Sequence, residues 1–254
     1  MTVAQREAHD SGVGVLDRAV AVLDAVEAGP HTFTEIVEAT GFSRTTTHRL
    51  VKSLVDHELL TVRGGDGYRL GPRLLRFAQR AMLELPIRDV AHPFLQRLAE
   101  MTGESAQLYV RSTLERVCID AVDSANELRT IVGVGSTLPL TAGSAGKVFL
   151  AFDDLGAPGE RLIDDAIRWT PATPVGEELR RQLMSIRRRG WASSAGERQA
   201  GVGSVSAPVF GHSGELLAVL SVSGPASRIG RIAAKRHAPA VVATAREIRA
   251  ALIP

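Results

Sequence analysis

Arg44, Thr45, Thr46, His48, Arg49 and Lys52 lie close together, and no carboxylate interrupts them before Asp56. Cations and short hydroxyls at this spacing suit one chemistry in particular. Arg and Lys pair with phosphates and guanine edges, while Thr and Ser meet phosphates and thymine methyls. A surface selected for solubility alone mixes charge signs, although taken by itself this set also fits a solvated helix face. A second set is uncharged: Thr141, Ser144, Ser193, Ser194, Ser204, Ser206, Ser221 and Ser223, near expected strand ends and loops. Such hydroxyls bind a small polar or anionic molecule without reacting with it. Ordinary loop and strand serines are the alternative.

Other chemistries fail on spacing. Gly143 to Lys147 has the look of a phosphate loop, but Thr141 stands where the first Gly belongs and Val148 where Ser or Thr belongs. Ala142 replaces the first Gly of a nucleophile elbow. The seven His are scattered, so no metal site is expected, and no cofactor. Cys118, the only cysteine, sits in an apolar run and reads as core. Arg187, Arg188 and Arg189 end a helix and match its dipole.

The first set sits on a helix that Ser43 caps. Thr47, Leu50, Val51, Leu54 and Val55 form its inward stripe. A shorter helix, 34–40, precedes it across Gly41-Phe42. Strand-like runs at 59–63 and 68–70 flank Gly64-Gly65-Asp66-Gly67 and predict a hairpin. Arg63 and Arg69 fall near its tip, within reach of a sugar-phosphate backbone or a minor groove. Upstream, Leu16, Ala19, Val20, Leu23 and Val26 predict one further helix, ended by Gly29-Pro30. Charge divides accordingly. Residues 1–42 hold two arginines against seven carboxylates, whereas residues 43–80 hold eight Lys and Arg against three. This is the electrostatic footprint of a nucleic-acid surface.

With 254 residues and 44% apolar content, the chain has enough for one large domain or two. No apolar run is long enough to span a membrane, and 1–12 lacks a signal-peptide core, so a cytoplasmic protein is expected. After Gly71-Pro72, an apolar stripe from Leu74 to Leu85 predicts a connecting helix that also packs, against a partner subunit for instance. Beyond it, helices are expected near 90–102, 146–152, 177–189 and 233–252. Strands are expected at 106–110, 117–122, 128–134, 204–210 and 216–223. Adjacent hairpins mixed with helices indicate an antiparallel α+β domain.

The order of these motifs resembles the IclR family of bacterial transcription regulators. The carrying segments are GVLDRAVAVLDAV (14–26), ATGFSRTTTHRLVKSL (39–54), YRLGPRL (68–74), LPLTAGSAGKVFLA (138–151), RRGWASSAGERQAGVGSVSAPVF (188–210) and LSVSGPASRI (220–229). Within the family, TGESAQLY (102–109), GSTLPLTAGS (135–144) and the Trp191 segment resemble the actinobacterial branch related to regulators of leucine and other amino-acid biosynthesis. The resemblance implies an α+β protein with a winged helix-turn-helix over 13–71, after a tail over 1–12. A linker helix over 72–86 and a GAF-like antiparallel effector-binding domain over 87–254 follow. It implies a dimer through the N-terminal domains, often a tetramer as a dimer of dimers, and binding to double-stranded operator DNA. Repression is the family's commoner mode.

Ser43, Arg44, Thr45, Thr46, His48, Arg49, Lys52, Arg63 and Arg69 are then the DNA-contacting residues. A small organic acid or related effector is expected at Ser144, Ala145, Ser194, Ser204, Ser221 and Ser223. Leu138, Leu140 and Cys118 are expected as its apolar wall, and Arg129 as a carboxylate partner. Some relatives carry an acid where Ser194 stands and a cysteine where Ser204 stands; these departures bear on which effector binds, not on where. The competing class is an enzyme whose serine-rich domain turns a ligand over, which incubation and product analysis would reveal.

Overall fold

The computed structural model describes residues 14–27, 29, 31–62, 67–230 and 234–252. The chain divides into two compact units, Met1–Glu84 and Leu85–Pro254.

In the first unit, helices α1 (Gly14–Glu27), α2 (Phe33–Thr40) and α3 (Arg44–Asp56) precede a hairpin of β1 (Leu60–Val62) and β2 (Tyr68–Leu70), and α4 (Pro72–Leu83) follows. Local chemistry sets these boundaries. Thr32 and Glu35 form a reciprocal capping box at the start of α2. Gly41 ends α2 in the left-handed region, at φ 68°, and returns its amide to the Val37 carbonyl. A side chain there would resist that conformation. Two residues on, the Ser43 hydroxyl accepts from the Thr46 amide at 3.2 Å and opens α3. Val22, Val26, Ile36, Val51, Leu54 and Leu60 form the core.

The α1 stripe differs from the expected one. Val22 and Val26 are buried and Ala19 and Leu23 half-buried, while Leu16 and Val20 are exposed. The face that meets α2 and α3 is turned away from those two positions. In β1–β2, Thr61 pairs with Arg69 and Val62 with Tyr68. The Tyr68 amide also donates to the His31 carbonyl at 2.7 Å, which ties the hairpin to the loop before α2. Helix α4 buries no residue, and Leu75, Phe77 and Leu83 are exposed.

The second unit opens with α5 (Pro86–Thr102). Its sheet consists of β3 (Ser105–Ser112), β4 (Glu115–Val122), β5 (Thr137–Pro139), β6 (Ala192–Ala195), β7 (Val202–Phe210) and β8 (Leu216–Pro225). The order is β5-β4-β3-β8-β7-β6, antiparallel throughout. Helices α6 (Ser144–Phe152), α7 (Gly156–Asp164) and α8 (Gly176–Arg189) connect β5 to β6, and α9 (Ala234–Ala251) closes the chain.

Two-residue alternation gives the sheet two different faces. On one, Ala106, Leu108, Val205, Ala207, Leu220 and Val222 pack against α5 and α9. On the other, Tyr109, Cys118 and Val219 join an apolar cluster with α6, α7 and α8, beside the serines of β7 and β8.

One expectation fails here, and three elements were not expected. Residues 128–134 form no strand; Ile131 and Val134 are exposed, while Val132 is buried beside Cys118 of β4, and just past the segment the Gly135 amide donates to the Cys118 carbonyl. The true third strand is β5. Short β6 and the Gly- and Pro-containing α7 had not been anticipated.

Candidate functional site

Two places in the chain have functional geometry. In the first unit, Arg44, Thr45, His48, Arg49 and Lys52 project from α3 as exposed side chains, and Arg69 is exposed on β2. The Arg44 guanidinium carbon lies 5.1 Å from the centre of the Phe33 ring, and the His48 ring meets the same phenyl edge-on at 6.2 Å. Phe33 thus forms a platform that positions two of the candidate contacts. Ser43 and Thr46 are bonded to each other through their hydroxyls at 3.0 Å, as part of the cap. Both remain at the helix N-terminus, where backbone amides suit a phosphate. Arg63, expected at the hairpin tip, lies outside the described residues.

In the second unit, a pocket enclosing about 430 Å³, its open mouth included, forms between the serine-bearing sheet face and the start of α6. The S-x-S pattern in both β7 and β8 builds it. Ser204 pairs with Ser223 and Ser206 with Ser221 across the two strands, so period two turns all four hydroxyls to one face and the intervening valines to the other. Ser144, at the first turn of α6, reaches Ser204 and Ser206, each at 2.6 Å, and Ser206 donates to Ser221 at 2.9 Å. Ser223 donates to the Gln107 side-chain oxygen at 3.0 Å. Rotatable hydroxyls of this kind can redirect to donors or acceptors on a ligand.

Of the residues singled out from sequence, Ser144, Ala145, Ser194, Ser204, Ser221, Ser223 and Leu138 surround this one pocket. Thr141, Ser193 and Ser206 do not line it, and neither do three residues expected at the effector. Leu140 and Cys118 lie wholly in the core behind the wall. Burial pushes the Cys118 thiol up to about 12. Arg129 instead approaches Asp123 at 3.9 Å and the Asn126 carbonyl at 3.4 Å.

Sequence reasoning overlooked Tyr109, Arg116 and Arg198, all of which line the pocket. Arg116 precedes Cys118 by the two-residue period of β4 and so shares its face. Its guanidinium carbon lies 5.5 Å from the centre of the Tyr109 ring. Its Nη1 donates to the Pro139 and Ala142 carbonyls. Gly146 makes room, because a Cβ there would come within 2.6 Å of that Nη1 and would also collide with the Leu140 carbonyl. Burial lowers Arg116 to about 10 and raises the Tyr109 hydroxyl.

Lys147 was also overlooked. Its buried ammonium donates to Glu197 at 2.5 Å, Gln182 at 2.8 Å and the Ser193 carbonyl at 2.9 Å. Glu197 in turn accepts the Gly143 amide at 3.2 Å, so this ion pair fixes the start of α6 over the pocket. Among the described residues, no group of three or more His, Cys, Asp or Glu can hold a metal ion, and no helix is long and apolar enough to cross a membrane.

Residues 15–64 match the IclR helix-turn-helix domain, and residues 79–250 match the bacterial transcriptional regulator IclR C-terminal domain. The chain belongs to the IclR family. It is a DNA-binding transcription regulator with an α+β fold, and the family is one of regulators rather than enzymes. Its IclR relatives include the HTH-type transcriptional regulator RhmR of Escherichia coli, 29% identical, with 94% of each chain covered. The HTH-type transcriptional regulator Rv1719 of Mycobacterium tuberculosis is 31% identical, covering 90% of this chain and 88% of its own. A solved IclR homologue from Microbacterium hydrocarbonoxydans, complexed with 4-hydroxybenzoate, has a TM-score of 0.80 at 27% identity, covering 94% of this chain and 98% of its own. Relatives from such different bacteria match about equally well, so the family is assigned and not a branch within it.

Proposed function

We propose that this IclR-family chain is a repressor whose operator binding is controlled by a small organic effector in the second unit. The carrying observation is the pairing of an exposed, carboxylate-free face on α3 with an enclosed, hydroxyl-lined pocket in the other unit. Arg44, Thr45, Thr46, His48, Arg49 and Lys52 enter the major groove, Ser43 meets a phosphate at the helix start, and Arg69 and Arg63 hold the backbone. Ser144, Ala145, Ser194, Ser204, Ser221 and Ser223 contact the effector. The solved relative complexed with 4-hydroxybenzoate supports a small organic molecule as effector.

The working form is a dimer, or a tetramer built from two dimers. Val15, Leu16 and Val20 of α1, with Leu75 and Phe77 of α4, leave apolar surface in the first unit that a second copy covers. A two-fold dimer then reads a pseudo-palindromic operator. Such a protein works in the cytoplasm, where the chromosome is. Genes of amino-acid biosynthesis are the narrower target reading, motivated by the 102–109 and 135–144 segments.

The test uses duplex DNA that the full chain selects from a random pool. Arg44→Ala and Arg49→Ala should each weaken binding of that DNA by roughly 1–3 kcal/mol. Unchanged affinity in folded variants would remove α3 as the reading element.

A further inference from the structure

The pocket wall carries more positive charge than a neutral ligand needs. Arg116 is 3% exposed, and among the described residues no carboxylate lies within ion-pair distance of it. The acid nearest this part of the pocket, Glu197, is already matched by the Lys147 ammonium at 2.5 Å and by the Gly143 amide. Arg198 lines the same pocket, and its like charge acts on Arg116; the opposite charge of Glu197 acts on it too, but from a carboxylate bonded to Lys147. A guanidinium held out of water with no carboxylate bonded to it is costly, and an anion in the pocket would offset that cost.

Hydrogen bonding points the same way. Among the described residues, the buried side-chain atoms without a partner are Arg116 Nε and Gln107 Nε2, and both are donors. Gln107 sits directly behind the pocket residue Ser223. What the site lacks is acceptors, and a carboxylate carries several with no donor of its own. Two backbone carbonyls hold Nη1 in place, which orients the planar fork before any ligand arrives.

We infer that the effector is a small organic anion whose carboxylate is held by the Arg116 guanidinium, while Ser144, Ser221 and Ser223 bind its polar remainder. Arg116 is then the specificity-determining residue, and Arg198 adds charge at the pocket wall. This rests on the effector reading above.

The test compares 4-hydroxybenzoate, benzoate, lactate and succinate, each with its primary amide, by thermal shift and calorimetry on the full chain. At least one acid should bind, and its amide should bind roughly tenfold or more weakly. Arg116→Gln should abolish that preference, Arg116→Lys should restore part of it, and Arg198→Gln should reduce it less. If Arg116→Gln fails to fold by circular dichroism, the acid–amide comparison on the wild type and on Arg198→Gln still decides. Equal binding of acid and amide overturns the inference, as does an acid preference that survives in folded Arg116→Gln, or a panel in which no acid binds. Ser221→Ala separates the two levels. If it weakens acid and amide alike while the two bind equally, the pocket reading stands and the anion assignment falls; if it changes nothing for a ligand that binds, the pocket reading falls.

Discussion

Arg44 lies over the face of Phe33, its guanidinium carbon 5.1 Å from the ring centre, so a residue of α2 positions a cation of α3. The same ring takes the edge of His48. A flexible arginine loses rotamer freedom when it grips DNA, and a platform that restricts it beforehand lowers that cost. Phe33→Ala should therefore weaken DNA binding by about 0.5–1 kcal/mol, and Phe33→Tyr should retain it. Fluorescence anisotropy on selected duplex DNA checks this. If Phe33→Ala binds like the wild type, the platform has no role in recognition.

The Lys147–Glu197 pair is the structural support of the pocket. Both groups are buried, and three acceptors surround the ammonium. Lys147→Met leaves Glu197 as an uncompensated buried charge and should cost about 3–5 kcal/mol in urea unfolding. Lys147→Met with Glu197→Gln should recover much of the loss, because the stranded charge is then gone. Equal stability in the single and double variants would show that the charge pairing does not matter.

Cys118 should be chemically silent in the folded protein. Burial moves its thiol from an ordinary 9.0 to about 12, so the folded state favours the protonated form. Its contribution to stability is whole below pH 9 and is lost as pH rises towards 12, because the unfolded thiol ionises first. A thiol reagent at pH 8 should label the protein only at the rate of unfolding, and at once in denaturant. Fast labelling of native protein would place Cys118 at an accessible surface instead.

Much of this was legible in the sequence, for physical reasons particular to each element. The α3 face could be read because its cap at Ser43 and its 3.6-residue period are local. The pocket serines were indicated by the family resemblance, whereas their composition alone fitted ordinary strand and loop serines equally; it is the pairing of S-x-S in β7 and β8 that places four hydroxyls on one face. Arg116 was hidden by its place at the start of β4, next to Glu115, where a charge reads as solvated; only β5 and the first turn of α6, folded over it, bury it. Lys147 was hidden because Glu197 lies fifty residues away and no local pattern links them. The strand expected at 128–134 was misread because its apolar residues suggested one, while the described residues there pair with no strand.

An effector in the pocket is expected to control operator binding by α3. The most direct measurement is operator affinity with and without a saturating acid identified by the thermal-shift panel, in the wild type and in Ser221→Ala. The wild type should change affinity by roughly 5–150-fold, and Ser221→Ala should bind free DNA normally yet lose the change. Operator affinity that stays the same while the acid fills the pocket would contradict the account.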